Sequence, residues 1–205
     1  MDPITYHTWN ELAQLYQDKF MDLDLYNDSY DLFCAALPRP DAKVLEIGCG
    51  PGNIARYLLA KLPQLQLLGI DAAPNMIALA KANNPTAQFA VMECSAIDGL
   101  ADLFDGIIAG FCLPYLSPTE TATFLHQCHR LLSVGGCLYI SVIEGNPAES
   151  GWVASSTGHK AFVHYYEATN LVKLLELSGF SLTHTLRKAY PSSDQTHLIL
   201  LAQKS

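Results

Sequence analysis

"VLEIGCGPGN", Val44 to Asn53, decides how this chain folds. A short apolar run bounded by turn residues reads as a buried strand. The run carries one acid, Glu46, and ends in glycines at every second position, Gly48, Gly50 and Gly52. Such glycines mark either a tight turn or a place where something lies against bare backbone. A turn needs only a following helix. A ligand loop needs a sheet whose other strands end on the same side.

Outward from this stretch, strand and helix patterns alternate. Before it, "WNELAQLYQDKF" (9–20) and "SYDLFCAALP" (29–38) hold apolar residues at helical spacing. Helix is therefore expected from about Thr8 to Leu37, stopped by Pro38 and Pro40. After it, "NIARYLLAKLP", "APNMIALAKANNP", "SPTETATFLHQCHRLLSVGG" and "EATNLVKLLELSGF" predict helices, the third opening at Ser-Pro and closing at Gly135-Gly136. Between them, "LQLLGID", "AQFAVMEC", "FDGIIAGF" and "CLYISVIE" predict strands, with a short helix or loop in "SAIDGLAD". "SLTHTLRKAY" and "THLILLAQK", joined by "PSSDQ", predict an antiparallel hairpin at one edge. The alternation implies βαβ units: an α/β fold of three αβα layers on a mostly parallel seven-stranded sheet. Ligands in such folds sit beyond the carboxyl ends of the strands. The glycine loop, Asp71, Glu93 and the segment Ala109 to Tyr115 all fall on that rim.

Composition narrows the function classes. Half of the 205 residues are hydrophobic, only 16% are charged, and the net charge is −8. That balance lacks the basic footprint of nucleic-acid binding and argues against an anionic membrane surface. No run approaches the roughly 18 apolar residues of a membrane span. The opening "MDPITYHTWNELAQLY" has no basic and apolar leader regions. Six scattered cysteines show no paired or zinc-like spacing, so no metal is expected. Reduced thiols in a cytoplasmic protein, a monomer or homodimer, are the expectation. Without repeats, low-complexity tracts or a linker, residues 1–205 read as one domain.

Two ligand classes use a glycine loop after a first strand. Dinucleotides want G-x-G-x-x-G, but the third glycine of that pattern falls on Asn53. The spacing here is G-x-G-x-G with Glu46 two residues before it. "VLEIGCGPGNIARYL" resembles the first motif of the class I, Rossmann-like S-adenosylmethionine-dependent methyltransferases. "LLGIDAAPNMIALAK", "AQFAVMECSAID", "FDGIIAGFCLPYL" and "HRLLSVGGCLYIS" resemble the family's later motifs, in order, so the likeness runs from about Tyr6 to Lys204.

The resemblance implies S-adenosylmethionine as cofactor, bound by Gly48, Gly50 and Cys49 of the loop, with loop N–H groups free for its carboxylate. It implies that Glu46 orients the loop and the cofactor amine, and that Asp71 takes the two ribose hydroxyls. Glu93 and Cys94 would border the adenine, with Ala72 and Met76 on its apolar side. Gly110 and Phe111 belong to the fourth motif at the same rim, and Tyr16 would cover the cofactor. Each has a plainer alternative: Asp71 as a cap for the helix at Ala73-Pro74, Cys49 as a small filler, Met76 as core, and Tyr16 packed on the sheet.

The implied reaction moves the sulfonium methyl to a small-molecule acceptor. The chain lacks the Asn/Asp-Pro-Pro-Tyr motif at strand four. Acceptor contacts are expected from the N-terminal helical cap, residues 1–40, from "CLPYLS", and from a polar loop over residues 144–167. Tyr115 and His164 are the candidate base or acceptor-orienting groups, each also readable as structural or surface. A non-catalytic cofactor-binding protein of the same fold and a nicotinamide-dependent oxidoreductase remain the competing readings.

Overall fold

The structure, a computed structural model, describes residues 1–155, 158–191 and 193–205. The first strand is where the glycine stretch places it: β1 is Lys43–Ile47. It pairs in parallel with β2 (Gln66–Asp71) on one side and β4 (Phe104–Ala109) on the other. β3 (Gln88–Val91) and β5 (Leu132–Glu144) extend the parallel part. The last two strands, β8 (Phe180–Ala189) and β9 (Thr196–Lys204), form the expected antiparallel hairpin, and β9 runs antiparallel to β5. The order is β3-β2-β1-β4-β5-β9-β8, seven strands in all.

Successive side chains of a strand point to opposite faces. Leu45 and Ile47 of β1 therefore enter one core layer, with Leu138, Ile140, Leu198 and Leu200. That layer is covered by α6 (Pro118–Leu131) and α7 (Ala168–Leu177). Val44 enters the other layer, with Tyr139, Ile199 and Leu201, under α3 (Asn27–Ala36) and α4 (Asn53–Lys61). Glu46 shares Val44's face and is completely buried there.

Three segments differ from the sequence reading. The first helix starts earlier, at Pro3, because the Asp2 carboxylate accepts from the amides of Ile4 and Thr5. It breaks at Leu12 into α1 (Pro3–Glu11) and α2 (Ala13–Phe20). The sixth helix stops before its glycines: Leu132 already pairs with Phe104. The chain then bulges through Gly135 at φ +76°, and the ladder resumes at Cys137 beside Gly106. Finally, the segment expected as a polar loop contains an antiparallel hairpin, β6 (Gly151–Ala154) with β7 (Lys160–Val163). Ser156 and Thr157 of that segment lie outside the described residues. The hairpin docks on α1: the Thr8 hydroxyl donates to the Lys160 carbonyl at 2.8 Å, and the Phe162 amide donates to the Thr5 hydroxyl at 3.0 Å. No described helix is long and apolar enough to cross a membrane.

Candidate active site

The three glycines divide their work. All have positive φ, at +68°, +52° and +82°. A Cβ on Gly52 would come within 2.4 Å of Asn84 Nδ2 and 3.3 Å of Ala80 Cα, so this glycine exists for close packing of α4 on α5 (Pro74–Asn83). The end of α5 in turn holds the loop: Asn83 Nδ2 donates to the Pro51 carbonyl at 2.8 Å and Asn84 Nδ2 to the Gly52 carbonyl at 3.0 Å. A Cβ on Gly50 would instead make only ordinary contacts, 3.7 Å from the Tyr16 ring and 4.0 Å from the Met76 sulfur. Gly50 lines both cavities described below.

The loop amides are not free, contrary to the sequence reading. Those of Gly48 and Cys49 donate to the Ile70 carbonyl at 2.8 and 3.0 Å, and that of Gly50 donates to Asp71 Oδ2 at 2.9 Å. The reason is that β2 runs one residue past the end of its ladder with β1 and presents its last groups to the loop. Asp71 Oδ1 also accepts from the Ala73 amide at 2.8 Å, so the helix-entry role holds too. Each Asp71 oxygen keeps a second acceptor position. Burial raises its pKa, and the two amides work against that.

Glu46 is the outlier. Neither carboxylate oxygen has a hydrogen-bond partner among the described residues. Burial, then the charge of Asp71, raises its pKa well above the usual carboxylate range, opposed by the Ala55 amide in the first turn of α4. Such a group costs free energy unless something pairs with it.

Two cavities meet at the loop. The first, of about 720 Å³, is a cleft lined by Gly48, Gly50, Asp71, Ala72, Met76 and Cys94, and no Lys or Arg lines it among the described residues. The second, of about 990 Å³, is walled by Phe20, Tyr26, Tyr30, Tyr190 and His197 and includes Cys49. Trp9, Tyr16, Gly48, Gly50, Phe111 and Tyr115 border both. Trp9 packs edge-on against Tyr16 and Tyr115, with ring centroids 5.8 and 5.4 Å apart, and its indole N–H is buried without a hydrogen-bond partner among the described residues. Gly110 borders both cavities as well, and Phe111 follows it in the left-handed region at φ +54°, its amide accepted by the Ser141 hydroxyl at 2.9 Å. A non-glycine residue held there marks a position the surroundings enforce.

Most of the candidate residues come together at this junction; Glu46, Glu93 and His164 line neither cavity. Glu93 is exposed and lines neither cavity, whereas its neighbours Met92 and Cys94 line the cleft. His164 lines neither cavity: its amide donates to the Pro114 carbonyl at 2.8 Å and its ring leans on Phe162. None of the described residues from 144 to 167 borders either cavity. Tyr166 acts indirectly, its hydroxyl 2.9 and 2.8 Å from the carbonyls of Leu113 and Leu116, which pins the turn carrying Tyr115. Burial raises the Tyr115 pKa far above its ordinary value and that of Cys49 well above the usual thiol range, so both stay protonated.

His197, Tyr26 and Tyr190 were missed by the sequence reading. The rim rule covers carboxyl ends of parallel strands, but β9 is antiparallel and brings its amino end to the same rim, His197 opposite Ile143 of β5. Alternation from Leu201 and Ile199 would have put His197 on the α3 face.

The family model for a methyltransferase domain matches residues 44–136. Sheet order, glycine loop and this match together liken the chain to the Rossmann-like, class I S-adenosylmethionine-dependent methyltransferases. In particular, it is 29% identical over 186 residues to the demethylmenaquinone methyltransferase of Chlorobaculum parvum, covering 80% of this chain and 74% of that protein. It is 32% identical over 101 residues to the trans-aconitate 2-methyltransferase of Methylobacterium nodulans, covering 49% of this chain and 38% of that one. The chain thus spans less than half the length of several curated relatives it matches. Among solved structures it is similar to the Burkholderia thailandensis 1,6-didemethyltoxoflavin-N1-methyltransferase with bound 1,6-didemethyltoxoflavin and S-adenosylhomocysteine. That likeness has a TM-score of 0.78 at 24% identity and covers 98% of this chain and 88% of the other.

Proposed function

We propose that the chain moves the methyl group of S-adenosylmethionine to a small-molecule acceptor by in-line displacement. The observation that carries this reading is the junction of an anionic cleft and an aromatic cavity at Gly48 and Gly50. When bound, the cofactor supplies an electrophilic methyl on a sulfonium and leaves as S-adenosylhomocysteine.

The residues of the cleft fit that group. A cleft with Asp71 and without Lys or Arg suits a cationic ligand and disfavours a pyrophosphate. The free acceptor positions of Asp71 suit a pair of ribose hydroxyls. Ala72, Met76, Met92 and Cys94 offer apolar contact for the adenine. Glu46, buried and without a hydrogen-bond partner among the described residues, lines neither cavity and acts on the cofactor end of the cleft only through the loop beside it. Trp9, Tyr16 and Tyr115 line both cavities where they join, and aromatic rings there favour a sulfonium by cation–π attraction. Tyr115 stays protonated and orients the acceptor as a hydrogen-bond donor. Alignment of donor and acceptor supplies most of the catalysis, on the order of 7–11 kcal/mol. The N-terminal helices act as a cap, since α1 and α2 carry Trp9 and Tyr16 to the junction.

The test is calorimetric titration with S-adenosylmethionine, alongside Asp71→Ala and NAD. Micromolar binding that Asp71→Ala weakens, with none for NAD, is expected. NAD binding of equal strength, or no binding of S-adenosylmethionine, would overturn the reading.

A further inference from the structure

The aromatic cavity says what kind of acceptor it takes, on the reading that the chain is a methyltransferase. His197 and Tyr26 form a buried pair in its wall, with the Tyr26 hydroxyl 2.6 Å from His197 Nδ1. Tyr26 Oη has no other hydrogen-bond partner among the described residues, so the arrangement that satisfies both groups has the phenol donating to Nδ1. That tautomer puts the imidazole proton on Nε2, which has no partner among the described residues. The ring is fixed on three sides: Tyr190 stacks on it at 4.8 Å and 23°, Tyr26 lies at 6.0 Å and 25°, and Phe111 meets it edge-on at 4.7 Å. Phe111 is the residue held at positive φ, so this wall is enforced by the backbone.

The wall is flat, aromatic and uncharged. Burial keeps His197 neutral, and among the described residues the one cation lining the cavity is Lys19, which is exposed and sits over the Phe20 ring at 5.1 Å. An anionic acceptor seated deep in the cavity would lose its hydration with nothing to pair it.

We infer that the acceptor is a flat conjugated ring system, uncharged where it is buried, whose carbonyl oxygen or ring nitrogen accepts a hydrogen bond from His197 Nε2. A polycarboxylate is excluded from this cavity. His197 and Tyr26 are thus specificity-determining residues, and Tyr190 is the stacking surface beside them.

Calorimetry on the full chain saturated with S-adenosylhomocysteine tests this, with 4-quinolone, chromone and isoquinoline as flat probes and trans-aconitate as the anionic one. Binding of S-adenosylhomocysteine is measured first, so failure of the cofactor site is seen separately. At least one flat probe is expected to bind tenfold or more tightly than trans-aconitate. His197→Phe, which keeps the stack but removes the donor, is expected to weaken that probe about tenfold. Tyr190→Ala, at the half-buried end of the wall, weakens it without touching the donor. Trans-aconitate binding as tightly as the flat probes, no binding of any flat probe, or unchanged binding in both variants would each overturn the inference.

Discussion

Replacing Glu46 by Gln separates what this carboxyl costs the fold from what it gives the site. Its pKa is raised well above the ordinary 4.5 by burial first and by Asp71 second. A carboxyl raised on folding contributes stability that is complete below 4.5 and is lost as pH rises through the folded value. Above pH 4.5 the unfolded chain releases the proton and the folded chain does not. Gln keeps the shape without that penalty. The Gln amide is equally buried, so only the extra cost of the carboxyl, on the order of the roughly 1–3 kcal/mol of an unpaired buried group, is removed. At pH 8 the variant should therefore be about 1–3 kcal/mol more stable than the parent, which for a chain of this size is roughly 2–12 °C in Tm. The gap should close toward pH 4.5. Cofactor affinity should move the other way. Loss of a neutral hydrogen bond of roughly 0.5–1.5 kcal/mol that holds the loop predicts about 2- to 13-fold weaker S-adenosylmethionine binding. Urea unfolding from pH 4.5 to 8.5, paired with calorimetry, reads both. A variant that is less stable at pH 8, or a stability gap that does not vary with pH, would refute the reasoning.

The glycines should respond according to what lies over them. Gly52→Ala meets Asn84 and Ala80 at a strained φ and should lose about 2–5 kcal/mol in urea unfolding, from roughly 1–2 for the left-handed backbone and 1–3 for overpacking. Gly50→Ala, whose Cβ faces the cavity, should lose only about 1–2 kcal/mol of stability but weaken S-adenosylmethionine binding tenfold or more; equal stability losses would contradict the division of roles. His197 gives a second pH signature of opposite sign to Glu46. Burial lowers its pKa from 6.5 to about 4, so the unfolded chain takes up a proton first and stability falls as pH drops from 6.5 toward 4. His197→Phe should flatten that part of the pH–stability curve, and an unchanged slope would mean that the imidazole is not desolvated.

Local pattern was enough to place β1, the glycine loop, Asp71 and the alternation of strands and helices along the chain, because period-two and helical spacings and glycine runs are set by neighbouring residues. The resemblance carried by those stretches pointed to Gly48, Gly50, Met76 and Cys94, which line the cleft. Tertiary packing decided the rest. Whether loop amides are free depends on how far β2 outruns β1, which no stretch of sequence states. Gly52 reads like Gly50 until α5 is laid against it. His197 is one polar residue at the start of an apolar strand, and only the antiparallel pairing of β9 with β5 carries it to the rim. His164, by contrast, lies in an informative-looking segment that folds into a hairpin against α1, away from both cavities. A short stretch fixes its own backbone and the face each side chain takes. Which faces meet, and so which groups share a cavity, is set by pairing between residues as far apart as Tyr26 and His197.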